Sequence, residues 1–173
     1  MGFQIRKTTI SDAYDVATVH VRSWQSAYRN IIPDSFLDGM NIEKQAERFI
    51  NDFDEYKGKT FYYVAENDGR IIGNLVLSGC RDDDEANAGE VIAMYLLPEQ
   101  WDKGLGRLMM EYALMELENL GYNEIVIWVL KENHRARRFY EKCNFIPDGT
   151  KKELCIDKPL IVVRYVNRSE IAS

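Results

Sequence analysis

The residues best placed to do chemistry are two glycines, Gly104 and Gly106, within the stretch GEVIAMYLLPEQWDKGLGRLMMEYALMEL. A glycine pair between a strand-like run and a helix-like run lets a ligand approach backbone that carries no Cβ. The first turn of a helix leaves N–H groups without acceptors, so this junction is a ready anion site, and the anion it suits is a phosphate. Spacing narrows the possibilities. No GK[ST] follows to make a P-loop, and Met109 stands at the third glycine position of GxGxxG, so neither nucleotide fingerprint is complete.

Two further groups carry chemistry by type. His20, Trp24 and Tyr28 recur at one-turn spacing and form an aromatic stripe, which serves either as core or as the wall of a substrate pocket. Asp82, Asp83, Asp84 and Glu85 form an acidic run, read either as a solvated loop tip or as an electrostatic lure for an amine.

The elements that must position these residues follow from periodicity. The apolar run from Val91 to Leu97 suits a strand buried on both faces, here Glu90 to Leu97. After Gly106, Leu108, Met109, Tyr112, Met115, Leu117 and Leu120 recur at helical spacing until Gly121 stops the helix. Upstream, Phe3 to Lys7 reads as a strand, and Ser11 with Asp12 caps a helix that reaches about Tyr28. Pro33 opens a short helix ended by Gly39, and Asn41 caps another through Phe53. Thr60–Glu66 and Ile71–Ser78 read as a hairpin turned by Asp68 and Gly69. Downstream come a strand from Glu124 to Leu130, a helix capped by Asn133 and reaching about Cys143, and two strand-like runs. The first of these runs spans Phe145 to Ile156 with a break at Pro147–Thr150, the second spans Leu160 to Val166, and the tail from Asn167 onward is expected to fray.

Composition sets the bounds. With 173 residues, 46% of them hydrophobic, the chain has the material for one well-cored domain spanning residues 1–173. No run approaches the length of a membrane span and MGFQIRKTT lacks an apolar signal core, so a cytoplasmic location without a membrane partner is expected. Cys80, Cys143 and Cys155 are odd in number and lack CxxC spacing, so neither a disulfide framework nor a metal site is expected. A net charge of −6 argues against nucleic acid and favours cationic small molecules.

Two motifs, taken with this order of elements, carry a resemblance. EVIAMYLLPEQWDKGLG resembles the pyrophosphate loop Q/R-x-x-G-x-G/A, and NHRARRFYEKCNF resembles N-x-x-A-x-x-F-Y-E-K-x-G-F, both of the GNAT superfamily of N-acetyltransferases. The resemblance implies an α/β fold with a central, mixed, mostly antiparallel sheet of about seven strands flanked by helices. It implies acetyl-CoA as cofactor and a small-molecule or peptide amine as acceptor, and it suggests a homodimer. Two departures stand out: Trp101 replaces the usual Gln or Arg, and Asn144 replaces a glycine, which Asn can do because it too tolerates left-handed backbone.

By this resemblance, the backbone of Trp101, Asp102, Lys103, Gly104, Leu105, Gly106 and Arg107 holds the pyrophosphate, while Met94 and Leu96 pair with the pantetheine arm and Asn133 hydrogen-bonds it. Acetyl transfer needs an oriented thioester, a neutral amine, stabilisation of the oxyanion and a proton for the thiolate. Tyr140 is the expected general acid, since a phenol of pKa about 10 is matched to a thiolate whose conjugate acid lies near 8.5. Glu90 is the expected base, sharing strand parity with Ile92, Met94 and Leu96. Trp24 and Tyr28 are expected to wall the acceptor pocket, and a polyamine-like acceptor rests on the acidic run. The competing readings are a non-catalytic acyl-CoA-binding sensor and a nucleotide-phosphate binder.

Overall fold

The computed structural model describes residues 2–168. β1 (Phe3–Lys7) is followed by α1 (Ala13–Ala27), α2 (Asp34–Asp38) and α3 (Ile42–Glu55), then by β2 (Thr60–Asn67), β3 (Arg70–Gly79) and β4 (Gly89–Leu96). The chain continues with α4 (Leu105–Asn119), β5 (Glu124–Leu130), α5 (His134–Lys142), β6 (Ile146–Cys155) and β7 (Pro159–Arg168). The seven strands form one mixed sheet in the order β1-β2-β3-β4-β5-β7-β6, antiparallel at every step except β4 to β5. Asp68 and Gly69 turn the β2–β3 hairpin with φ of 50° and 79°, as two consecutive left-handed residues must.

Two features of β4 shape everything that follows. Its parallel pairing with β5 is confined to Gly89↔Ile125 and Glu90↔Val126, after which the two strands part and the sheet opens into a cleft. Its antiparallel pairing with β3 slips between Val76↔Ala93 and Leu77↔Val91, so Ile92 is an extra, bulged residue. Opposed residues of an antiparallel pair share a face. Gly73, Leu75 and Leu77 therefore turn the same way as Leu96, Met94 and Val91. A Cβ at Gly73 would meet Met109 at 3.0 Å, which identifies this as the face against α4. Asn74, Val76 and Ser78 turn the other way with Tyr95, Ala93 and Glu90. On that side lies α1, with α3 packed against it.

The structure corrects several expectations. The parity that joined Glu90 to Met94 and Leu96 is reversed by the bulge, which puts Glu90 on the face of Ala93 and Tyr95. β4 is fully buried only from Gly89 to Val91 and half-buried beyond, because the departing β5 leaves one flank open. α4 buries Met109, Met110, Ala113 and Leu117, while Leu108, Met115 and Leu120 are exposed. Ser11 does not cap α1. Asp12 instead accepts the Thr9 N–H (2.8 Å) and the Arg6 guanidinium (2.8 Å), within a short turn that precedes the helix. The break in β6 is a register shift between Pro147 and Lys151, with Gly149 at φ 86°. β7 extends through Asn167 and Arg168, the latter paired with Glu124 at 3.2 Å, whereas the rest of the expected frayed tail lies outside the described residues.

Candidate functional site

A cleft of about 600 Å³ occupies the gap between the parted strands, running from Trp24 and Tyr28 along Ile92–Leu96 to Gly104, Gly106 and Arg107. At its far end the chain turns into α4 through Asp102 (φ 61°) and Gly104 (φ 81°), two left-handed residues that tip the helix axis onto the cleft. The N–H groups of Leu105, Gly106 and Arg107 open the helix and have no acceptor one turn back. Gly106 differs from Gly104 in a telling way. Its φ is ordinary, and a Cβ there would meet only the Phe139 ring at 3.5 Å, a normal contact. The protein's own packing does not require glycine at 106, and without a Cβ the backbone there is open to close approach from the cleft.

Arg107, Arg135, Arg138 and Lys142 also line this cleft, against Asp102 alone of the acids. In a chain of net charge −6 such a collection makes this cleft locally electropositive. Arg135 lies 4.0 Å over the Trp101 ring and donates to Asp102 at 3.1 Å. Arg137, between them in sequence, serves the fold instead, donating to the Tyr165 hydroxyl (2.9 Å) and the Lys131 carbonyl (2.8 Å). Arg135, Arg138 and Lys142 are the residues that motif reasoning passed over. The basic run around α5 was visible, but its phase relative to the cleft was not.

The other expected cofactor residues divide. Met94, Leu96, Trp101, Asp102, Gly104, Gly106, Arg107 and Asn133 line the cleft, whereas Lys103 is exposed away from it and Leu105 packs against the main core. Asn133 caps α5 through its Oδ1, which accepts from the Ala136 N–H at 3.2 Å. Trp101 does more than tolerate its position. Its indole donates to the Leu96 carbonyl at 2.8 Å, tying the loop to the end of β4.

Tyr140, brought in from α5, is 9% exposed and borders the same cleft. Burial, then the neighbouring Tyr95 phenol and Cys143, hold its hydroxyl well above the usual phenol value, so it stays protonated at neutral pH but is a weaker acid than the free phenol whose match to a thiolate was expected. Burial does the same to Tyr28 and Tyr95. His20 stacks on Trp24 at 5.1 Å and meets Tyr95 edge-on at 5.0 Å. Burial, with a smaller effect from Arg48, pushes the imidazole down to about 4, so it is neutral. The Trp24 indole N–H, which faces the Tyr95 phenol, is buried and makes no hydrogen bond of ordinary geometry.

Trp24 and Tyr28 wall this cleft and not the second cavity, of about 650 Å³, which opens on the other face of β4 between α1, α3, β2 and β3. The two meet at Ile92, Ala93 and Tyr95, where the bulge lies. Glu90 lines neither. It is 1% exposed, and its two oxygens accept from Arg81 at 2.7 and 3.2 Å.

The acidic run is a solvated tip only in part: Asp83 and Asp84 are exposed, while Asp82 and Glu85 are half-buried. Asp82 and Asp84 clasp Arg164, which is 3% exposed, at 3.2 and 2.7 Å, and Asp148 completes the group at 2.7 Å. Asp82 also accepts from the Trp128 indole at 2.8 Å. Asp82 and Asp84, two of the four charges read as a lure, are engaged within the protein. No group of three His, Cys, Asp or Glu side chains suited to a metal occurs among the described residues.

Comparison with known proteins agrees with this geometry. The profile of the acetyltransferase (GNAT) family matches residues 21–145, and the chain belongs to that family. It is an acyltransferase of the acetyl-CoA-dependent class. It is 30% identical over 132 residues to an uncharacterized N-acetyltransferase of Bacillus subtilis, YuaI, covering 75% of this chain and 72% of that one. A spermidine N(1)-acetyltransferase of Thermoplasma acidophilum is 26% identical over 153 residues, covering 87% and 92%. Among solved structures, the paia N-acetyltransferase of Thermoplasma acidophilum in complex with coenzyme A superposes with a TM-score of 0.78 at 23% identity, covering 97% of this chain and 99% of that one. yncA of Salmonella typhimurium, solved with acetyl-CoA, gives 0.68 at 16% identity, covering 100% and 98%.

Proposed function

We propose that this protein moves an acetyl group to the primary amine of a cationic small molecule or peptide, with Tyr140 as general acid. The observation that carries the reading is the position of Tyr140. Its phenol is buried, firmly protonated, without a protein hydrogen-bond partner among the described residues, and on the same cleft as the open β4 backbone and the α4 amides. Bound acetyl-CoA supplies an activated acetyl thioester and a thiolate leaving group. The amides of Leu105 to Arg107, with Arg107, Arg135, Arg138 and Lys142, hold its phosphates, and the β4 backbone beyond the bulge orients the arm. Tyr140 donates its proton to the departing sulfur. The relatedness to a spermidine acetyltransferase supports a polyamine-like acceptor, for which the acidic run no longer argues.

Glu90 takes a structural part in this reading. With its oxygens engaged by Arg81 it fixes the cavity rim, and the amine's proton leaves through solvent in the open second cavity. Glu90→Gln should then keep the shape of the kcat/KM pH profile, and loss of its acidic limb would return Glu90 to the role of base. For Tyr140→Phe, kcat should fall about 10²-fold or more with acetyl-CoA affinity kept. Thiol release at the parent rate would remove Tyr140 from the mechanism.

A further inference from the structure

Resting on the acetyltransferase reading, we infer that the second cavity seats an α,ω-diamine, with Asn74 receiving the reacting nitrogen and Asp52, beside Tyr56 and Tyr62, receiving the other.

Asn74 sits on β3 directly opposite Tyr95 of β4, on the face that carries the cavity. It is 4% exposed, and its Oδ1 has no hydrogen-bond partner. Leaving a buried amide unpartnered is costly in a folded protein, and a polar molecule in the cavity removes that cost. An amine N–H supplies the missing donor. The location suits the reaction, because the cavity reaches Ile92, Ala93 and Tyr95, which also border the cofactor cleft. A nitrogen held by Asn74 therefore lies across one strand from the site of acetyl transfer.

The rest of the cavity reads the other end of the acceptor. Its walls are largely apolar and aromatic, with Phe49 packed edge-on against Tyr62 at 5.4 Å. Asp52 is the acid that lines it, half-buried and without an ion pair among the described residues. It lies close enough to Tyr62 to add to the effect of burial in raising that phenol's pKa. A carboxylate among aromatic rings attracts an ammonium by charge and by the ring faces together. Two cations also line the cavity, but neither offsets Asp52. Arg81 is committed to Glu90, and Lys59 is exposed at the mouth, where solvent and salt screen it.

Three acceptors of equal length test the assignment: n-butylamine, 1,4-diaminobutane and 4-aminobutyrate, each assayed by thiol release from acetyl-CoA. The diamine should exceed the monoamine in kcat/KM about tenfold or more, as one added charged contact implies. Asp52→Asn should bring the two together by lowering kcat/KM for the diamine about tenfold. Asn74→Leu should lower kcat/KM for both amines about tenfold yet leave Tm unchanged or raised, since the amide it removes bonds to nothing. In thermal shift without acetyl-CoA, 1,4-diaminobutane should stabilise the parent and not Asp52→Asn. Preference for 4-aminobutyrate, a diamine advantage that survives Asp52→Asn, or full activity in Asn74→Leu would each overturn the inference. If the parent releases no thiol with any amine, the acetyltransferase reading fails instead, and the thermal-shift comparison still decides whether the cavity binds a diamine.

Discussion

Arg164 and Asn74 are polar side chains buried on the sheet, 3% and 4% exposed, and they are treated in opposite ways. Arg164 donates to Asp82, Asp84, Asp148 and the Thr150 hydroxyl, so its guanidinium is fully engaged. Asn74 and its neighbour across the strand pairing, the Tyr95–Trp24 contact, are left with an acceptor and a donor unpartnered. Buried polar groups that satisfy one another hold the fold. Asn74, unpartnered and lining a cavity, is open to a ligand instead. The same contrast separates Glu90, closed on Arg81, from Tyr140, which has no such partner.

This contrast can be broken by experiment. The largest effect belongs to Arg164→Met, which leaves the half-buried Asp82 and Asp148 without their shared cation and should cost about 2 kcal/mol in urea unfolding. A loss of less than about 1 kcal/mol would show that the cluster is not what closes the β3–β4 loop onto β7. The acid response follows from the same contacts. Arg164 and nearby donors hold Asp84 and Asp148 below the ordinary 3.8, so their stabilisation is present above that value and is lost as pH falls through the folded pKa. Thermal scans should therefore decline below about pH 4, and less steeply in Arg164→Met. At the functional end the pattern reverses. Gly106→Ala should leave stability unchanged or improve it by up to about 1 kcal/mol, while weakening acetyl-CoA binding about tenfold in calorimetry. Unchanged affinity would mean that no ligand approaches that backbone closely.

Local signals were legible where local physics decides. Gly104, Gly121 and Asn144 all take the left-handed backbone their residue types suggest, and Asn41 and Asn133 cap the helices they precede. The glycine loop and the Tyr140 motif converge on one cleft as the sequence order implies. Long-range facts were hidden. Arg164 lies in an ordinary apolar strand and meets acids some eighty residues upstream, a pairing no local pattern announces. In α4 the apolar residues occur on both sides, so periodicity alone misplaced the buried face. The bulge was invisible because Val91 to Leu97 is apolar throughout, and an unbroken apolar run carries no alternation from which a change of phase could be read.

That single extra residue has a consequence for how the protein tolerates change. Ile92 sets the phase of everything after it in β4, so deleting it would turn the segment that faces α4 towards the second cavity, whatever the composition. Asn74, Val76 and Ser78 of β3 and Phe49 and Asp52 of α3 line the second cavity alone. Replacements there can reshape that cavity while the cleft is inherited intact, whereas insertions and deletions between Gly89 and Leu96 should be almost absent from active variants.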